Sequence, residues 1–257
     1  MGNRTHDPEV FAATARWAGA EEKTIERALA CTSPRLVVSG RLAGGKDTVA
    51  EAVMRSLGCD DAFRVSFATA LRAELDALIE GVRREGPQEA VRTVSRVGGV
   101  SEQQARRTAE LIREALEADP SVHSYIRTRE IRLALQEWGT DVRRAADDEY
   151  WVKQAMRMVV EKLADQRPVY VTDARFPNEV AAARNLGFLA VRLEVDLSVR
   201  AARLKARDGL DIDPASENHP SERELEQYTG FDLWVDNSGA LETSVARVVE
   251  TLQAVPA

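Results

Sequence analysis

Cysteine is nearly missing from this chain, with two in 257 residues, Cys31 and Cys59. They form no C-x-x-C pair and join no cluster of metal-ligating residues, which excludes a disulfide scaffold and a thiolate metal centre. Two ordinary reduced thiols remain. No apolar run approaches the length that crosses a bilayer, and the N-terminus has no secretory apolar core, so the expected location is the cytoplasm. Asn3-Arg4-Thr5 is then an idle sequon, and His6 breaks the myristoylation pattern that Gly2 opens. Positive charge is also in deficit: 35 Lys and Arg against 42 Asp and Glu give a net charge of −7. That balance disfavours nucleic acid polymers and anionic membranes as partners, and any phosphate must be recognised by local basic clusters. Internal repeats, low-complexity tracts and the guanine-reading N-K-x-D motif are absent as well.

What is present begins with RLVVSGRLAGGKDT, Arg35 to Thr48. Leu36 to Ser39 is a β-rich run, Gly40, Gly45 and Lys46 match the phosphate-loop spacing G-x-x-x-x-G-K, and Ala50, Val53, Met54 and Leu57 give a helical stripe. Strand, glycine loop and helix in this order direct backbone N–H groups and the positive end of the helix dipole at an anion. The candidate triphosphate cradle is Gly40, Ala43, Gly44, Gly45, Lys46, Asp47 and Thr48. The hydroxyl that usually follows the lysine is replaced by Asp47, with Thr48 one place later. Either oxygen suits Mg²⁺, and the spacing does not choose between them.

Downstream, strand-like runs alternate with helical ones. Residues 8–30 show helical spacing ahead of the first strand. Phe63, Val65 and Phe67 alternate as a second strand before a helix over 68–84. Gly86, Pro87, Gly98 and Gly99 interrupt a polar middle section, and helices are predicted over 101–118, capped by Ser101, over 127–138 and over 149–166. Val169 to Val171 is a buried strand closed by Asp173, Phe188 to Val195 another, and Leu233 to Val235 the last. A basic helix spans 197–207, a loop 208–220, and a closing helix 240–252. This alternation predicts a parallel sheet covered on both faces, with ligands at the carboxyl ends of its strands.

Three further clusters carry chemistry on that topology. Asp173 and Arg175 lie at the carboxyl end of a central strand, where an acid holds an acceptor or orients a metal-bound water; equally, Asp173 can cap the helix begun by Pro177 and pair with Arg175. Arg200, Arg203 and Arg207 share a helical face, suited to a lid over phosphoryl oxygens. Gln136, Trp138, Gly139 and Thr140 offer an amide, an aromatic face and a turn for a base, against the commoner use of tryptophan in a core. The segment His219-Pro220-Ser221-Glu222 admits a catalytic reading and, through Ser221 and Glu224, a capping-box reading.

In this order, GRLAGGKDTVAEAV, SFATALR, LQEWGTD, VTDARFPNEV and HPSE resemble the deoxynucleoside monophosphate kinases encoded by bacteriophages, over roughly Arg35 to Leu252. The GKDT loop, whose Asp after the lysine is usual in that family, and DARFPNE are the most specific segments. The resemblance implies a three-layer α/β/α P-loop kinase fold with a parallel central sheet, a helical acceptor-binding insertion and an arginine-bearing lid. It implies a helical N-terminal extension over 1–33 and a kinase domain over 34–257, with the acceptor region near 68–165 and the lid near 197–226. The implied reaction moves the γ-phosphoryl group of ATP, with Mg²⁺, onto a dNMP. Lys46, Asp173, Arg175, Arg203 and Arg207 are the implied catalytic residues, and Arg72, Arg129, Gln136, Trp138, Gly139, Thr140, Asp173 and Arg175 the acceptor site. Asp47 or Thr48 would serve the metal. The implied partners are small molecules, with a homodimer left open and, for a phage-encoded chain, the host cytoplasm as location. Competing readings are a small-molecule kinase similar to animal-type phosphomevalonate kinases, and a regulatory switch that hydrolyses a nucleotide slowly.

Overall fold

Five consecutive buried residues, Arg35–Ser39, form β1, the middle strand of the sheet. The structure, a computed structural model, describes residues 7–126, 128–212 and 223–254. His219, Ser221 and Glu222 lie outside the described residues, as does most of the loop expected over 208–220. The chain divides into two units, one running to Ser66 and resuming at Val152, the other Phe67–Trp151.

The first unit holds α1 (Pro8–Trp17), α2 (Glu22–Leu29), β1, α3 (Lys46–Ser56) and β2 (Phe63–Val65). It continues with most of α8 (Tyr150–Ala164), β3 (Val169–Val171), α9 (Pro177–Asn185), β4 (Leu189–Glu194), α10 (Leu197–Asp208), β5 (Leu233–Asp236) and α11 (Leu241–Gln253). All strand pairs are parallel, in the order β2-β3-β1-β4-β5. Leu36 sits opposite Tyr170 on one side and Leu189 on the other, so β1 is hydrogen-bonded along both edges. Side chains alternate across the sheet. Leu36, Val38, Val191, Leu193 and Val235 pack against Val49, Val53 and Met54 of α3 and Val245 and Val248 of α11. On the opposite face α9 packs on β4 and α1 packs on α9. The expected three-layer α/β arrangement around a parallel sheet is therefore the one adopted.

The first two helices do not stand apart as an extension. Phe11 is buried, and the buried Arg35 guanidinium lies 5.5 Å from its ring centroid. Arg35 also donates to the Leu186 carbonyl at 2.9 Å and to the Cys31 carbonyl. β2 ends at Val65 rather than extending to Phe67, because β3, its only neighbour among the described residues, ends at Val171 opposite Val65. Phe67 instead opens a helix.

That helix, α4 (Phe67–Glu85), begins the second unit, with α5 (Ala90–Gly98), α6 (Glu102–Ala118), α7 (Arg129–Gln136) and a π-helical stretch over Glu137–Arg144. Ser101 and Gln104 form a reciprocal capping box at the start of α6, as its Ser predicts. Leu75, Leu78 and Val82 of α4, Val94 of α5, Ile112 of α6 and Ile131 of α7 share one core. Gly98 is required by a close approach, since a Cβ there would meet the Trp138 ring at 2.3 Å. The expected helix ending at Trp138 instead continues through Gly139 in the wider π winding. Among the described residues no helix is long and apolar enough to cross a membrane, and both cysteines are free thiols.

Candidate functional site

Where β1 ends, the chain bends through Gly40, whose Cβ would lie 2.9 Å from the Leu193 carbonyl oxygen. A turn then closes as Gly44 N donates to Arg41 O at 3.0 Å, with Ala43 in the left-handed region at φ 59°. Gly44 has no room for a side chain either, since a Cβ would meet Arg41 O at 2.9 Å. Gly45 takes φ 81° and caps α3, a conformation suited to glycine. From Lys46 onward the first-turn amides have no intrahelical acceptor by geometry, and they point back toward the loop at the positive end of the dipole. Lys46 Nζ spans the loop, donating to Gly40 O at 2.8 Å and Arg41 O at 3.1 Å. The residues picked from the motif thus form a tight glycine turn leading into the first turn of α3.

Two residues from the C-terminal half complete its rim. Asn237, buried just past β5, donates through Nδ2 to Gly44 O at 3.0 Å. Arg203 donates through Nη2 to Asn237 O at 2.8 Å, and its Nη1 lies 3.7 Å from where a Gly45 Cβ would be. That Nη1 is buried and has no hydrogen-bond partner among the described residues. Arg200 is buried, with long contacts to Val195 O at 3.4 Å and Leu42 O at 3.5 Å. Arg41, Gly44, Arg192, Leu193, Val195 and Arg200 contribute to the lining of a cavity of about 280 Å³ beside the loop. Arg207 is differently placed: it is exposed and doubly bonded to Asp208 at 2.9 and 2.7 Å. Those bonds push its guanidinium pKa up, with a smaller contribution from the charge of Asp47.

The carboxylates stand at the strand ends. Asp47 accepts from Thr172 Oγ1 and pairs with Arg64 at 2.8 Å, while Asp173 accepts from Ser66 Oγ. Capping of α9 falls to buried Glu179, whose Oε2 accepts from Arg175 N at 2.7 Å and Phe176 N at 3.2 Å. Asp173 is therefore not that cap, and Arg175 has an exposed side chain. Mg²⁺ is a hard ion held by one or two carboxylates plus phosphate oxygens, and the fixed Asp47 carboxylate with the exposed Thr48 hydroxyl is a donor set of that kind. Ser66, Thr172 and Asn237 escaped the motif reading, since each is defined by a partner far away in sequence.

In the helical unit, Arg72 donates to Ser124 O and lies 4.8 Å from the Tyr125 ring centroid. Arg129, at the start of α7, Gln136 and Thr140 are exposed. Trp138 corrects the base-stacking expectation, because its side chain is wholly buried and a buried indole has no face to offer a base. Its Nε1 donates to Glu74 at 2.9 Å, a carboxylate shared with Arg143 Nε at 2.9 Å and with the Tyr150 hydroxyl. Arg143 also covers the Trp138 and Tyr150 rings at 4.7 and 4.9 Å. Gly139 is buried too: its carbonyl accepts from Trp151 Nε1 at 2.9 Å, and a Cβ there would meet Leu71 at 3.0 Å.

No family model and no curated protein matches the chain. Among solved structures, the chain is similar to a gluconokinase from Sinorhizobium meliloti 1021, with 20% identity, a TM-score of 0.42 and coverage of 86% of this chain and 92% of that one. It is likewise similar to TT1252 from Thermus thermophilus, with 20% identity, a TM-score of 0.43 and coverage of 87% and 98%.

Proposed function

We propose that the chain is an ATP-dependent kinase that phosphorylates a deoxynucleoside monophosphate. The observation that carries this reading is the buried Arg203 Nη1, with no hydrogen-bond partner among the described residues, beside the left-handed Gly45 of a glycine loop. A buried donor without an acceptor costs free energy, and an arriving anion recovers it. Phosphate oxygens match the guanidinium fork, and the amides and lysine of the loop address the same ligand.

In this reading the loop amides and Lys46 hold the β- and γ-phosphates of ATP, and Arg203 meets the charge of the group in transit. A phosphate oxygen of the acceptor attacks the γ-phosphorus; the bond to the β–γ bridging oxygen breaks, and ADP leaves with that electron pair. No covalent enzyme intermediate is needed, since positioning and charge neutralisation supply the rate. Asp47 and Thr48 would hold Mg²⁺, which when bound neutralises phosphate charge. Asp173, fixed by Ser66, and Arg175 orient the acceptor phosphate.

The test is ADP release with ATP and Mg²⁺ against a panel of dNMPs, mevalonate phosphate and no acceptor, repeated with Lys46→Ala. Formation of a dNDP by the native chain, lost in Lys46→Ala while its thermal unfolding is unchanged, is the expected result. Turnover only with mevalonate phosphate would make it a different small-molecule kinase, and acceptor-independent ADP release would make it a switch.

A further inference from the structure

Tyr125 is a large aromatic left 62% exposed, yet the residue before it is tied to α4 by three hydrogen bonds. Its neighbours Val122 and Ser124 are buried. All three polar groups of Ser124 are taken by one face of α4: Asp76 accepts from its N at 2.7 Å and its Oγ at 2.8 Å, and Arg72 donates to its carbonyl. Arg72 and Asp76 are four residues apart, so a single helical turn grips the residue before Tyr125. About two turns further along, Arg83 donates to Val122 O at 2.6 Å. His123 closes the turn by accepting from Tyr125 N at 3.3 Å. An exposed ring on a mobile loop would need no explanation. A ring held rigidly in water is pre-organised, because the ordering cost of binding has been met in folding.

The chemistry around the ring narrows the ligand. The Arg72 guanidinium stacks 4.8 Å from the ring centroid, and Arg72 makes no ion pair among the described residues. A cation on one face of a phenol ring leaves its other face for a second planar group, and the guanidinium N–H groups not used by Ser124 remain for an anion. A flat ring joined to an anionic group is the description of a nucleotide.

We propose that Tyr125, backed by Arg72, is a platform on which a nucleobase stacks, the role that buried Trp138 does not fill. This rests on the reading of the substrate as a nucleotide, and it adds a residue that selects for one. Stacking is tolerant of base identity, since every base has a π-face, so the platform selects for the presence of a base more than for its kind.

Calorimetric titration of dAMP, dTMP and base-less 2-deoxyribose 5-phosphate, with and without ADP, onto the native chain, Tyr125→Ala and Tyr125→Phe tests the platform apart from turnover. Both nucleotides are expected to bind Tyr125→Ala roughly 5- to 150-fold more weakly than the native chain, the range for losing one base stack. Tyr125→Phe should bind within about twofold of native, and the base-less phosphate should bind all three alike. Equal dNMP affinity in Tyr125→Ala, or no dNMP binding to the native chain, overturns the proposal. Tyr125-dependent binding without any phosphoryl transfer to dNMP in the ADP-release assay would overturn the kinase reading alone.

Discussion

Arg203 and Asn237 hold one another at the rim of the phosphate loop: the guanidinium Nη2 donates to the Asn237 main-chain oxygen at 2.8 Å. Because the Asn237 side chain donates in turn to Gly44 O at 3.0 Å, α10 and the glycine loop are tied through one residue. A shift of the helix is transmitted to the loop, and Arg203 is held beside Gly45.

Arg203→Ala should therefore slow phosphoryl transfer by about 10³-fold or more, the scale of an arginine that meets transition-state charge, while dNMP affinity is unchanged. Arg207→Ala should cost much less, since that side chain is exposed and engaged by Asp208. Single-turnover rates with binding titrations separate the two effects, and an unaltered rate in Arg203→Ala would reduce that residue to packing.

Asn237→Asp removes the donor to Gly44 O and sets a carboxylate against the loop that must receive an anion. ATP affinity should fall about fivefold or more relative to Asn237→Ala, where the donor is lost without added charge, one such repulsion being worth on the order of 1 kcal/mol or more. Raising the salt concentration should narrow the gap by screening. Equal ATP affinities for the two variants at low salt would argue that the asparagine lies outside the field of the bound phosphates.

Gly45→Ala and Ala43→Gly form an opposed pair. The first places a Cβ 2.8 Å from Asn237 Nδ2 at φ 81° and should lower stability by about 1–2 kcal/mol from the backbone alone, with ATP binding lost. The second relieves a left-handed alanine at φ 59° and should keep both folding and binding. Denaturant unfolding and ATP titration on both variants check this.

The Glu74 cluster gives a pH prediction. Burial, then the hydrogen bond and charge of Glu74, push the Tyr150 phenol up to about 12, with Arg143 opposing. The unfolded chain titrates near 10, so between the two values the folded state holds the extra proton and stability falls as pH rises. The contribution is complete below about pH 10 and gone above about pH 12. Glu74→Gln should bring the Tyr150 titration down toward its ordinary value, read from tyrosinate absorbance, and flatten that loss. It should also destabilise the helical unit by about 2–3 kcal/mol, because Arg143 loses its carboxylate.

What the sequence makes legible is local. Gly40, Gly45 and Lys46 are a contiguous signal, and the loop they announce forms as expected. The alternation of apolar strands with helical stripes gives the parallel sheet, and Ser101 marks a helix start. The order β2-β3-β1-β4-β5 is set by hydrogen bonds between segments far apart, and no window contains it. Asn237 is invisible for the same reason, since its partner Gly44 lies 193 positions away. Trp138 shows the limit of composition: an aromatic beside Gly139 and Thr140 looks available to a base until Gly98 of another helix is found against its ring. Tyr125 could have been noticed from Arg72 alone only by knowing that Asp76 and Arg72 close on Ser124.

Residues 7–33 have a consequence for anyone shortening the protein. Cutting at the strand-like run that begins the recognised motif would strip the aromatic cover from Arg35 and delete the Cys31 carbonyl it bonds, leaving a cation at the root of β1 with Leu186 alone. The sheet cannot be had intact by trimming what precedes the glycine motif; the opening helices are masonry under the strand that leads into it.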